Sequence, residues 1–190
     1  MKKVLFPLIV FMTVNMVGKA QESVELTNGA YEKKQVVTVD GADAGKIYVR
    51  ALEVLSDWAG SQSKSKIGID VQDKDEGMVV YKGRLEIGYH KANFLAGWEV
   101  YADFTIKIKC KDGKAQIACY VPSATFEWSA KQYPAEETVP ISALIPKYNY
   151  KSKLRIKKAA IEFGPQIPEK FDAVIAMLAS KITQKPDDDF

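Results

Sequence analysis

Apolar and polar side chains alternate along the longest regular stretch of this chain. From Trp98 to Cys110 the even positions (Trp98, Val100, Ala102, Phe104, Ile106, Ile108, Cys110) are all apolar, whereas the odd ones include Glu99, Asp103, Lys107 and Lys109. A period of two marks a strand with one buried face. Asp112-Gly113 follows, and Asp-Gly between alternating runs predicts a two-residue hairpin of type I′, with φ > 0 at both loop residues. That loop sets Lys111 opposite Lys114, Cys110 opposite Ala115, Ile108 opposite Ile117, Ile106 opposite Cys119 and Phe104 opposite Val121. One face of this hairpin is dry; the other carries Thr105, Lys107, Lys109, Gln116, Ala118 and Tyr120.

Similar periods organise the rest. Gln35 to Val39 reads as a first strand, and Asp43 is placed to cap the helix after it. In that helix Ile47, Ala51, Val54, Leu55 and Trp58 recur every three or four residues. Ile67, Ile69 and Val71 alternate with Gly68, Asp70 and Gln72; Val79, Tyr81, Leu85 and Ile87 alternate with Val80, Lys82, Arg84 and Glu86. Gly83 falls on the apolar side of the latter strand, where it allows a close helix approach or a bulge. His90 to Gly97, with Phe94 and Leu95, reads as a loop. Pro122 ends the regular pattern, and 122–165 reads as an irregular insertion punctuated by Pro134, Pro140 and Pro146. Pro168 suits a first helical turn, and Phe171, Val174, Ile175, Leu178 and Ile182 predict a helix over about 168–183. The order β-α-β-β-β-β-α predicts an α+β two-layer sandwich: an antiparallel sheet of about five strands with two helices on one face.

The N-terminus changes the reading of charge. Lys2-Lys3, an apolar run from Val4 to Val17 and Gly18-Lys19-Ala20 read as a signal peptide over residues 1–20, cleaved after Ala20. The apolar run is short of the ~20 residues a spanning helix needs. No cysteine lies near the cut, so the expectation is an exported, periplasmic or extracellular protein that is not a lipoprotein, with no transmembrane segment after cleavage. Residues 21–31 read as a leader, 32–184 as a single domain and 185–190 as an acidic tail. The full chain has 27 basic and 24 acidic residues, and three of the lysines lie in the signal, so the mature chain is formally neutral. Global charge therefore gives no argument for nucleic acid. Cys110 and Cys119 lie ~13 Å apart in the predicted register, too far for a disulfide. Two buried free thiols are expected.

Several local patterns resemble a known family. Tyr48, Ala51 and Trp58 on the first helix, Lys66-Ile67-Gly68-Ile69, Asp73-Lys74-Asp75-Glu76-Gly77 with Gly83, Asp103-Phe104-Thr105 and Lys111-Asp112-Gly113-Lys114 carry the resemblance. The chain resembles the domain of unknown function with a TATA-binding-protein-like fold found in exported proteins of Bacteroidetes, over roughly Gln35 to Tyr120. The resemblance implies one half of a saddle-like fold and an export context. It implies no activity, functional residue or DNA binding, since fold does not dictate function.

Candidate chemistry is sparse. His90 is the single histidine, so histidine pairs are excluded, and no Gly-x-Ser-x-Gly elbow precedes a helix. Asp73 to Gly77 lacks the 12-residue pattern of a calcium loop and reads as an acidic turn. No metal or cofactor is expected. The one local feature pointing to a partner is Lys147, Tyr148, Tyr150, Lys151, Lys153, Arg155, Lys157 and Lys158, which suits an anionic polymer through charge and stacking. The same stretch also fits a solvated edge strand whose lysines block pairing. The second surface is the open sheet face, with Lys82, Arg84, Glu86, Glu99, Tyr101, Asp103 and Tyr120 among its residues. These features favour a non-catalytic exported binding domain whose partner is a protein, glycan or anionic polymer outside the cytoplasm. The alternatives are a hydrolase with motif-less paired carboxylates and an envelope-structural or self-assembling protein.

Overall fold

A computed structural model describes residues 26–130, 132, 134–144 and 156–184. Among the described residues seven strands form one antiparallel sheet: β1 (Leu26–Thr27), β2 (Ala30–Thr38), β3 (Lys66–Asp73), β4 (Met78–Lys91), β5 (Gly97–Lys111), β6 (Lys114–Trp128) and β7 (Glu136–Pro140). Their order is β1-β2-β6-β5-β4-β3, with β7 also pairing β6. The helices are α1 (Ala44–Ser61), α2 (Ile141–Leu144), α3 (Lys157–Phe163) and α4 (Gln166–Thr183). The α+β layering is as expected, but the sheet holds more strands than about five.

The β5–β6 hairpin has the anticipated register as far as Thr105: Ile108 pairs with Ile117, and both are fully buried. Its turn differs from the expectation. Only Gly113 has a positive φ, 72°, so Asp112-Gly113 is not a type I′ turn. Asp112 is instead committed to α1, its Oδ1 accepting from the Ala44 N–H at 2.8 Å beside the Asp43 cap on Lys46 N, also 2.8 Å. The φ signs of a type I′ turn occur at Asn28-Gly29 (52° and 80°), between β1 and β2. Residues 26–31, read as part of a leader, thus form a small hairpin that adds to the sheet.

Pro122 does not end β6. Thr105 pairs with Tyr120 and Asp103 with Ser123, so Phe104 alone faces Val121 and Pro122. This bulge accommodates a residue with no N–H to give to a ladder. Pro122 also falls where β6 changes neighbours, from β2 (Tyr31 with Val121) to β7 (Pro140 with Ser123). The extra residue shifts the inward side chains from odd to even positions, so Ala124 and Phe126 stay buried. The supposed insertion therefore contains half a central strand, an edge strand and two helices.

The helices cover one face. Phe104 touches Trp58 of α1 and Phe171 of α4, with ring centroids 5.6 and 5.5 Å apart. Asp172 ties α4 to β2 by accepting from Tyr31 Oη at 2.5 Å and pairing with Lys33. Lys170 Nζ donates to the Glu86 carbonyl at 2.5 Å, beside the irregularity between Glu86 and Gly88 in β4. Phe163 of α3 packs where a Cβ at Gly88 would come within 2.3 Å of its ring. Gly83 admits a neighbouring strand rather than a helix: a Cβ there would fall 2.1 Å from the Lys66 carbonyl oxygen of β3. β3 is an edge and its register shifts between Ile69, opposite Tyr81, and Val71, opposite Val80, so Ile69 and Val71 are both exposed and do not share one face.

Candidate functional site

The face of the sheet opposite the helices holds a charged cluster around Arg84. Four strands deliver it. Arg84 on β4 pairs across the ladder with Asp103 on β5, and the bulge at Pro122 brings Glu127 on β6 and Glu136 on β7 to the same surface. The guanidinium reaches all three carboxylates: Nε to Asp103 at 3.1 Å, Nη1 to Glu127 at 2.9 Å and Nη2 to Glu136 at 3.1 Å. Its planar fork allows this three-way contact, which a lysine could not reproduce. Burial opposes the arginine's charge, but the hydrogen bond to Glu136 and the charges of Asp103, Glu136 and Glu127 outweigh it and raise its pKa.

Hydroxyls complete the cluster. Ser123 and Thr125 both donate to Asp103 Oδ2, at 2.8 and 3.0 Å, and Thr125 is fully buried although polar. Tyr101 donates to Glu99 Oε2 at 2.8 Å. Burial, then that hydrogen bond and the charges of Glu99, Glu127 and Glu86, push the Tyr101 pKa up. The carboxylate oxygens thus face N–H and O–H donors within the sheet, an arrangement that fixes side chains in place. A general acid, by contrast, must aim a protonated oxygen at a substrate. Among the described residues no three His, Cys, Asp or Glu side chains are gathered so as to hold a metal ion.

Net charge varies along this face. Toward the Trp98–Trp128 end stand Glu86, Glu99, Glu127 and Glu136, three of them paired with Lys64, Lys66 or Arg84; toward the Asp112-Gly113 end Lys34, Lys107 and Lys109 outnumber Glu32, which sits opposite Tyr120. Ala118 pairs with Lys34 on one side and Lys107 on the other, leaving a shallow place between two cations. Tyr120 and Val36 are exposed on the same basic half.

The residues singled out from the sequence are scattered. Lys147, Tyr148, Tyr150, Lys151, Lys153 and Arg155 lie outside the described residues. Lys157 and Lys158 are exposed in the first turn of α3, so the strand-like alternation through Ile156-Lys157 does not become a strand there. His90 is not a loop residue: it pairs with Trp98 within the ladder, and its Nδ1 lies 2.5 Å from Glu162 of α3. The Asp73 to Gly77 stretch is a turn, with Asp73 Oδ1 accepting from Glu76 N at 2.9 Å. Glu127 and Glu136 were not singled out. Their signal was the alternation of Ser123, Thr125 and Glu127 with Ala124, Phe126 and Trp128, hidden behind Pro122.

Comparison with known proteins agrees with this architecture. Residues 34–121 match the family described as a domain of unknown function (DUF4468) with TBP-like fold. The crystal structure of a DUF4468 family protein from Bacteroides ovatus superposes with a TM-score of 0.60 at 14% identity, covering 86% of this chain and 92% of that one. A TBP-like protein from Parabacteroides distasonis superposes with a TM-score of 0.56 at 11% identity, covering 83% and 97%. At these identities the likeness concerns the fold alone. No curated protein matches the sequence.

Proposed function

We propose, from the premise that this chain carries a DUF4468 domain with a TBP-like fold, that it is a non-catalytic interaction domain whose open sheet face meets a partner protein. The observation that carries this reading is the uneven balance of charge on that face, with carboxylates in excess over Arg84, Lys64 and Lys66 at one end and Lys34, Lys107 and Lys109 in excess over Glu32 at the other. A surface with two signs at fixed separation fixes the orientation of a complementary partner and disfavours others. Export is part of the proposal, resting on Lys2-Lys3, the apolar run and Gly18-Lys19-Ala20. N-terminal sequencing of protein recovered from the producing cell tests it, with Gln21 as the expected first residue. The exposed Lys157 and Lys158 leave room for a subsidiary contact of the basic run with an anionic polymer.

Photo-crosslinking in the producing cell tests the face itself. A benzophenone side chain at Tyr120 or Lys107 is expected to give one discrete adduct, which Lys34→Glu/Lys109→Glu abolishes. The same probe at Glu53, on the exposed side of α1, is expected to give none. Equal labelling from both faces would overturn the reading. The hydrolase alternative rests on the convergence of Asp103, Glu127 and Glu136; it is the weaker one because a single guanidinium holds all three.

A further inference from the structure

The strand order ends at β3, and no strand among the described residues pairs with its outer side. Its outward N–H and C=O groups form an open ladder, to which a further strand adds readily. Six of its eight residues are exposed, Ile69 and Val71 among them at 49% and 37%.

The register shift between Ile69 and Val71 decides which side chains of this edge lie together. Lys66 pairs with Arg84 and Asp73 with Met78, six residues apart on β4, so Lys66 and Asp73 both belong to the open face. Seven residues apart in sequence, they would lie on opposite faces of an unbroken strand. Gly68, opposite Lys82, and Val71, opposite Val80, share that face; Ile67, Ile69 and Gln72 pair with Gly83, Tyr81 and Val79 on the helix side.

Self-pairing suits this arrangement in one register. About an axis between Ile69 and Asp70, an antiparallel second copy sets Lys66 opposite Asp73, Ile67 opposite Gln72 and Gly68 opposite Val71, each pair on one face. Moving the axis onto Ile69 or Asp70 would set outward side chains against inward ones. A Cβ at Gly68 would meet nothing within 4 Å, so the space beside it takes Val71 of the second copy. The two Ile69 side chains come together beside the axis.

The charges favour the same register. The start of the strand is basic: Lys64 and Lys66 reach Glu86 at 3.2 Å and Glu127 at 4.0 Å in their own chain, yet their side chains stay 70% and 74% exposed. The far end is acidic, with Asp73, Asp75 and Glu76 around a single lysine, Lys74. Asp70, between the two ends, is held by Lys82 at 2.7 Å. On the helix side α1 carries both signs, Arg50 with Glu53 and Asp57, one layer above the strand. Antiparallel pairing lays the basic end on the acidic end twice.

We infer that the chain pairs edge to edge with a second copy of itself through β3, so that Lys66 of each copy faces Asp73 of the other. This inference is independent of the sheet-face reading, because such a dimer keeps both open faces uncovered on one side of a continuous sheet.

Sedimentation equilibrium of protein purified from the producing cell tests it over a concentration series. Wild type is expected to pass from monomer to dimer as concentration rises, and to stop there. Lys66→Glu and Asp73→Lys each set like charges opposite one another twice, and each should weaken the dimer by about tenfold. An equimolar mixture of the two variants should recover wild-type association, because every altered side chain then meets its opposite sign. A second measurement leaves Asp73 and its turn intact. Mixing Gly68→Cys with Val71→Cys copies under mild oxidation should give a disulfide-linked dimer that neither gives alone; Cys110 and Cys119 are buried and do not compete. Monomer at every concentration, charge variants that dimerise like wild type, or a mixture no tighter than its components would overturn the inference. Growth beyond the dimer would also overturn it, by making β2 of the next copy the occupant.

Discussion

The carboxylate of Asp112, in the turn between β5 and β6, accepts a hydrogen bond from the backbone N–H of Ala44 at the start of α1, 2.8 Å away. The turn is further locked by Gly113 N to the Ala42 carbonyl at 2.9 Å and Val39 N to the Gly113 carbonyl at 2.8 Å. One dipeptide thus reverses the sheet and fixes the entry of the helix above it. Asp112→Ala should cost about 1 kcal/mol, the usual worth of a cap. Gly113→Ala should cost about 1–2 kcal/mol, because its φ of 72° suits a residue without Cβ. Urea unfolding measures both, and a neutral Asp112→Ala would show the helix contact to be dispensable.

Gly83 gives a sharper test of packing. Its missing Cβ is occupied by the backbone of β3, with the Lys66 carbonyl oxygen 2.1 Å from where that atom would be. Backbone cannot move aside like the end of a long side chain. Gly83→Ala should destabilise by about 3 kcal/mol and loosen β3, seen as faster amide exchange at Ile67 and Ile69. Wild-type stability would mean that the two strands stand further apart.

Removing Arg84 should harm the sheet face more than an ordinary surface arginine. Arg84→Met leaves Asp103, Glu127 and Glu136 crowded without their shared cation. The site is partly open to water, so the expected loss is about 1–2 kcal/mol, between exposed and buried pairs. Added salt should narrow the gap from wild type. Arg84→Lys should recover only part of it, since an ammonium lacks the fork.

The two thiols and two tyrosines set the response to alkali. Burial pushes Cys110 up to about 11, and burial with the Asp172 charge pushes Cys119 up to about 12, against a usual 9.0. Tyr31 and Tyr101 are raised as well, chiefly by burial and then by their hydrogen bonds to Asp172 and Glu99. For each group the unfolded chain gives up its proton first. The stabilisation is full below pH 9 and lost as pH rises through the folded values. The melting temperature should hold level to about pH 8.5 and fall steeply above about pH 9. Both cysteines are free and buried. A bulky thiol reagent should find neither in the native protein and both after denaturation without reductant.

How much of this was legible in advance varied with the physics of each segment. The stretch from Thr105 to Tyr120 and the stripe from Ile47 to Trp58 were readable because one side of each element is dry over its whole length. β3 carries the same alternation in sequence, yet its edge position and the register shift between Ile69 and Val71 leave both exposed; periodicity reports a strand, not its neighbours or its bulges. Pro122 misled because proline ordinarily stops a ladder, and only the exchange of β2 for β7 explains how the strand passes through it. Leu26–Thr27 was overlooked because two residues make no period. The Arg84 cluster is half visible in the sequence: strand parity turns Arg84 and Asp103 outward, but Glu127 and Glu136 depend on the bulge for their orientation.

The contact between Tyr31 and Asp172 bears on what can stand alone. Both residues lie outside the family-matched stretch of 34–121, one ahead of it and one beyond. Phe171, which closes over Phe104, is also beyond it. A fragment trimmed to 34–121 would keep its hairpins yet lose half the lid over its apolar floor. The stretch 34–121 is thus shorter than what a test tube would need, and any expression boundary drawn at Val121 should yield aggregates rather than a miniature of the protein.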